Sequence, residues 1–120
     1  MAKILLVGIG GFVGSILRYL VSSHIQQFTK GLDFPYGTLV VNLIGCFLIG
    51  LLSELISTDE SQALVLIGFL GGFTTFSTFS HESLNLLANG KGNLALLNIS
   101  IQVIMGMAAV WLGRAVSMSR

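Results

Sequence analysis

Charged side chains are scarce: six Lys or Arg and five Asp or Glu make up 9% of 120 residues, where soluble domains carry roughly a quarter. With a net charge of +1 and no basic cluster, nothing marks a nucleic-acid surface. The single cysteine, Cys46, excludes an internal disulfide and reads as a small apolar helix residue. The single proline, Pro35, leaves long uninterrupted helices possible. No metal-ligand cluster and no nucleophile–base pair stands out, so the chain makes no case for an enzyme. What is abundant is hydrocarbon: 53% hydrophobic residues and a mean hydropathy of +0.89, the composition of a membrane protein.

Hydropathy divides the chain into four spans, at about 4–23, 36–56, 63–88 and 94–116, each near the ~20 residues needed to cross a bilayer. Residues 1–120 are therefore expected to form a single four-helix transmembrane domain, since helices satisfy their own backbone in lipid. Pro35 suits the entrance of the second helix. The segment Met1 to Tyr19 has Lys3 ahead of an apolar run, but no small-x-small cleavage site follows, so it reads as a span rather than a leader. "LLVGIGGFVG" imitates a dinucleotide-binding loop. That motif needs a strand before it and an acidic residue about twenty positions on, within an alternating βα chain; continuous hydrophobic helices follow instead. Gly10 and Gly14 form a small-xxx-small pair, which serves equally for packing within a subunit or for a dimer seam.

Basic residues divide evenly. Lys3, Arg114 and Arg120 fall on the side of the termini and second loop, and Arg18, Lys30 and Lys91 on the other. The positive-inside rule then selects no orientation, and two opposite orientations can pair as an antiparallel homodimer.

The polar residues inside the spans are few enough to weigh singly. Arg18, on one helix face with Gly11 and Gly14, either marks an ion path or snorkels to the interface. Thr38, Asn42 and Gly45 share a stripe of the second helix; the Asn42 amide can donate to an anion or join helices. The densest stretch is "GGFTTFSTFSHE", Gly71 to Glu82. Paired glycines and β-branched threonines predict a break over Gly71 to Thr75 near the membrane centre. Breaks at membrane depth release carbonyls that can hold a cation, with Gly71 and Thr74 the candidates, and helix N-termini that attract anions. Beyond it, Phe76 and Phe79 are i, i+3 neighbours among Ser77, Thr78 and Ser80. Ring edges carry positive potential, so phenyl edges, hydroxyls and an amide make a weakly electropositive, uncharged lining.

The segments "GGFVGSILRY", "YGTLVVNLIGCFLIG" and "GFLGGFTTFSTFSHE" resemble the Fluc or CrcB family of small dual-topology fluoride channels, in order and over nearly the whole chain. The resemblance implies an antiparallel homodimer in the plasma (inner) membrane, with two fluoride pathways near its interface. It implies pore roles for Phe76, Phe79 and Asn42, with Ser77, Thr78 and Ser80 in their polar neighbourhood. A structural sodium would rest at the dimer centre on the carbonyls of Gly71 and Thr74. Arg18 would match a vestibule arginine, and Glu82 the acidic residue after the motif. Some members carry a tyrosine along a polar track in the fourth span, whereas this chain offers Asn98, Ser100 and Gln102 there. Two other functions fit four short spans. A small dual-topology multidrug exporter needs a membrane carboxylate, usually in the first span, which has none. A structural membrane subunit would use its polar residues only to join helices.

Overall fold

The computed structural model describes residues 1–120 and consists of helices and turns, with no strand. Helix α1 (Ala2–Phe28) is followed by α2 (Tyr36–Leu52). The third segment is compound: α3 (Asp59–Ser61), a π-wound stretch π1 (Gln62–Leu70), α4 (Gly71–Phe73) and α5 (Phe76–Ala88). Helix α6 (Gly92–Met118) closes the chain. Three of the four segments are long and apolar enough to cross a membrane; α2, with 17 residues, is the short one.

The helix ends depart from the expected bounds. Hydropathy marks the lipid-facing part of a helix, whereas turn chemistry sets its ends. Thus α1 continues past Ser23 to Phe28, and the chain turns at Gly31 with φ +92°, a left-handed conformation that favours glycine. Gly90, at φ +76°, does the same between α5 and α6. Helix α2 ends at Leu52 instead of Ile56, because Ser53 to Leu55 form a turn ahead of Thr58. The Thr58 hydroxyl caps α3 by accepting the Ser61 N–H at 3.3 Å.

Two tight helix pairs make the body of the subunit. A methyl group at Gly10 or Gly14 of α1 would collide with the carbonyl oxygens of Leu64 and Phe69 in π1. Gly50 of α2 stands equally close to the Val110 carbonyl, and Gly113 of α6 to that of Phe47. The Gly10–Gly14 pair thus packs within the subunit. Close approach of this kind gives dispersion contact where lipid provides no hydrophobic drive. Ion pairs tie the ends: Lys3 to Asp59 at 2.9 Å, Arg114 to Glu54 at 3.1 Å, and Lys91 to Asp33 at 2.8 Å. The first two gather the termini with the second loop, and the third joins the first loop to the third.

Candidate functional site

The third segment is broken, but later than the glycines suggest. Gly71 to Phe73 are helical, and only Thr74 (φ −84°, ψ 159°) and Thr75 (φ −149°, ψ 119°) are extended. The glycine pair has another use at Gly72, where a β-carbon would stand 2.8 Å from the Gly11 carbonyl oxygen. Small size there admits α1; the threonines, which tolerate extended backbone well, carry the interruption.

Two adjacent extended residues leave hydrogen bonds to be made elsewhere. No backbone N–H reaches the carbonyls of Gly71, Gly72 or Phe73. On the other side of the gap, Thr75 caps α5 by accepting the Thr78 N–H at 3.1 Å, while the N–H groups of Phe76 and Ser77 find no acceptor. Asn42 spans the gap from α2. Its Oδ1 accepts the Thr75 N–H at 2.8 Å, and its Nδ2 donates to the Thr75 carbonyl at 3.0 Å and to Gln102 Oε1 of α6 at 3.1 Å. One amide thereby replaces both helical bonds that Thr75 lacks.

The predicted residues divide into two compartments on either side of this bridge. An open groove of about 350 Å³ brings together Asn42, Phe76, Phe79, Gly71 and Thr74, with Gln102 added from α6. Its lining contains no carboxylate. The Phe76 and Phe79 rings are 5.5 Å apart and tilted by 57°; Phe79 is buried, whereas Phe76 is 78% exposed on the subunit surface. A second cavity, of about 230 Å³, brings Arg18 of α1 together with Ser15, Thr38, Thr75 and Thr78. Arg18 Nη1 lies 3.5 Å from the Thr74 carbonyl. Ser77 and Ser80 belong to neither compartment: Ser77 stands 3.3 Å from the Thr75 hydroxyl, and Ser80 donates back to the Phe76 carbonyl at 2.9 Å. His81 is exposed, with its ring 3.2 Å from Asn85 Nδ2.

Carbonyl oxygens are the ligands a hard cation takes. The Gly71 oxygen, stripped of its helical donor, fits that chemistry. The Thr74 oxygen fits less well, because the Arg18 guanidinium already brings positive charge to it.

Ser83 was not among the candidates, and the partners of several that were could not be read from the sequence. Thr38 donates to the Glu82 carboxylate in a short hydrogen bond, so the acidic residue after the motif is half-buried and held by the stripe that carries Asn42. Asn98, fully buried, donates to Ser83 at 2.9 Å, and Ser83 donates to the Phe79 carbonyl at 2.8 Å. Asn98 and Gln102, spaced i, i+4 in an otherwise apolar span, were the available signal that α6 turns one polar face inward.

Comparison with known proteins bears directly on this arrangement. Residues 5–114 match the family described as "CrcB-like protein, Camphor Resistance (CrcB)". The chain belongs to the CrcB family. Relatives include the "Fluoride-specific ion channel FluC 1" of Methanosarcina acetivorans, 44% identical over 95% of this chain and 89% of that protein. The protein of the same name without a number from Campylobacter lari is 47% identical, covering 94% of this chain and 95% of its own length. That of Shewanella frigidimarina is 44% identical over 100% and 99%. The CrcB match takes in every residue lining both compartments, and with its long apolar helices this CrcB chain is a multi-pass membrane protein.

Proposed function

We propose that the chain is a fluoride-selective channel that lets cytoplasmic fluoride leave passively across the plasma membrane. An inside-negative potential drives an anion outward at about 2.3 kcal/mol per charge per 100 mV, so no coupling machinery is required. The observation that carries the reading is the carboxylate-free groove, where Phe79, the Asn42 and Gln102 amides and the broken helix meet at membrane depth. Groups of this kind favour an anion without holding it as tightly as fixed cations would, the compromise conduction needs. Phe76, Phe79 and Asn42 line the path, Ser77, Thr78 and Ser80 flank it, and Arg18 and Thr38 stand in the vestibule. The names of the relatives supply the ion: each is a fluoride-specific channel.

The working unit in this reading is an antiparallel homodimer of both orientations. Ser77, Thr78 and Ser80 are exposed beside an exposed Phe76, a partly polar face that a second copy would shield from hydrocarbon. The three-to-three division of basic residues supports insertion both ways. A sodium ion at the dimer centre would rest on the Gly71 and Thr74 carbonyls, supplying positive charge between the two paths. The multidrug-exporter alternative lacks a carboxylate in α1, and the purely structural one gives no reason for an open groove where two amides meet a broken helix.

Efflux from liposomes tests the proposal. Fluoride should leave rapidly and chloride should not, and Phe79→Ile should abolish flux while the protein still elutes as a dimer. Cysteines placed at either terminus should label from both faces of the membrane. Absent fluoride flux in the native chain would remove the channel reading, and one-sided labelling would remove the dual topology.

A further inference from the structure

We propose that the cavity between the first and third loops is the outer mouth of the path, and that Asp33 limits anion entry there by neutralising Lys91. This rests on the channel reading above and adds a control of charge at its entrance.

The cavity, of about 400 Å³, lies where the C-terminal ends of α1 and α5 meet the entrance of α2. Both loops turn on a glycine in left-handed backbone, Gly31 and Gly90. The Lys91 N–H then donates to the Leu86 carbonyl at 2.8 Å. That bond folds the third loop back over α5 and sets the Lys91 ammonium 2.8 Å from the Asp33 carboxylate of the first loop. Two contacts join this cavity to the Arg18 chamber. Gln26 of α1 lines both. Thr38, in the wall of the chamber, donates to Glu82, in the wall of the cavity. An ion entering between the loops thus passes Gln26 and meets Arg18 next.

The charged groups of the lining are Lys30 and Lys91 against Asp33 and Glu82. The mouth is balanced, and so does not concentrate anions by its own field. Asp33 is the member that cancels a lysine at contact distance, whereas Glu82 is tied to Thr38. Asp33 and Lys91 are both partly exposed, and a pair of this kind adds little to stability. Changing either one alters the field at the mouth more than the fold. At the dielectric of water a unit charge changes the concentration of monovalent ions about 10 Å away roughly two-fold, before screening.

The test measures fluoride current through the full chain in planar bilayers at about 10 mM and about 150 mM ionic strength, where the screening lengths are about 30 and 8 Å. Asp33→Asn frees Lys91, so current at the lower ionic strength should rise by up to about two-fold. Lys91→Gln leaves Asp33 unopposed, and current should fall by a similar factor. The double variant should lie between the two, and the differences should shrink at the higher ionic strength. A purely structural ion pair would move both single variants the same way, since either one breaks it. A fall in both would therefore overturn the proposal. Equal currents in all variants at the lower ionic strength would overturn it as well, because the cavity would then lie off the path. A native chain that carries no fluoride current is a separate outcome, which removes the channel reading itself.

Discussion

Replacing Asn42 by leucine, a side chain of similar size, should unfasten the helix break. Three hydrogen bonds disappear: Thr75 N–H to Oδ1 and Nδ2 to the Thr75 carbonyl and to Gln102. Interhelical hydrogen bonds in membranes average ~0.6 kcal/mol each, so their direct loss is about 2 kcal/mol. Thr75 is 8% exposed, so its freed N–H and carbonyl have little access to water. An orphaned buried group adds about 1–3 kcal/mol. The expected destabilisation is therefore roughly 3–5 kcal/mol. Reversible unfolding in mixed micelles, followed by circular dichroism, measures it. Asn42→Asp separates the contributions, because a carboxylate still accepts the Thr75 N–H but donates nothing; it should fall between wild type and Asn42→Leu in stability. A Leu variant within about 0.5 kcal/mol of wild type, the usual range for an inert surface change, would refute the claim that this amide holds the break.

Two further outcomes follow from packing and capping. Gly10→Ala should cost about 1–3 kcal/mol or more by forcing α1 from π1, whereas Gly8→Ala, with open space around it, should be neutral; melting of the two purified proteins compares them. Thr75→Val should lower stability by about 1 kcal/mol through loss of the α5 cap, and Thr75→Ser should restore most of it in the same assay.

Much of this was legible in the residues because a bilayer narrows the choices. Runs of hydrocarbon longer than a span can only be helices, so four segments follow from hydropathy. The even distribution of basic residues and the polar run after Gly71 are equally plain in the chain. Where the reading slipped, the cause was a residue with two uses. Glycine lowers helix propensity and also permits close approach, and only the neighbouring Gly11 carbonyl reveals that Gly72 serves the second purpose. Helix ends also lie beyond the hydropathic spans: the first span ends at about Ser23, whereas the backbone of α1 stays helical to Phe28.

The candidate path shows the same division. That Phe76, Phe79, Asn42 and Arg18 belong near one another was implied by the family resemblance of their motifs. Their allotment to two compartments was not, since it depends on how α2 and α6 pack and on where Thr75 interrupts the third segment. Gln102 is the clearest instance. As a letter it is one polar residue of three in the fourth span, whereas in the fold its oxygen is held by Asn42 and its nitrogen is left without an acceptor. Sequence alone determined that the chain is a bundle of membrane helices with an uncharged polar break, because composition and period act locally. The direction in which each amide points was decided by the tertiary structure, because a hydrogen bond between residues sixty positions apart exists only once the helices have met.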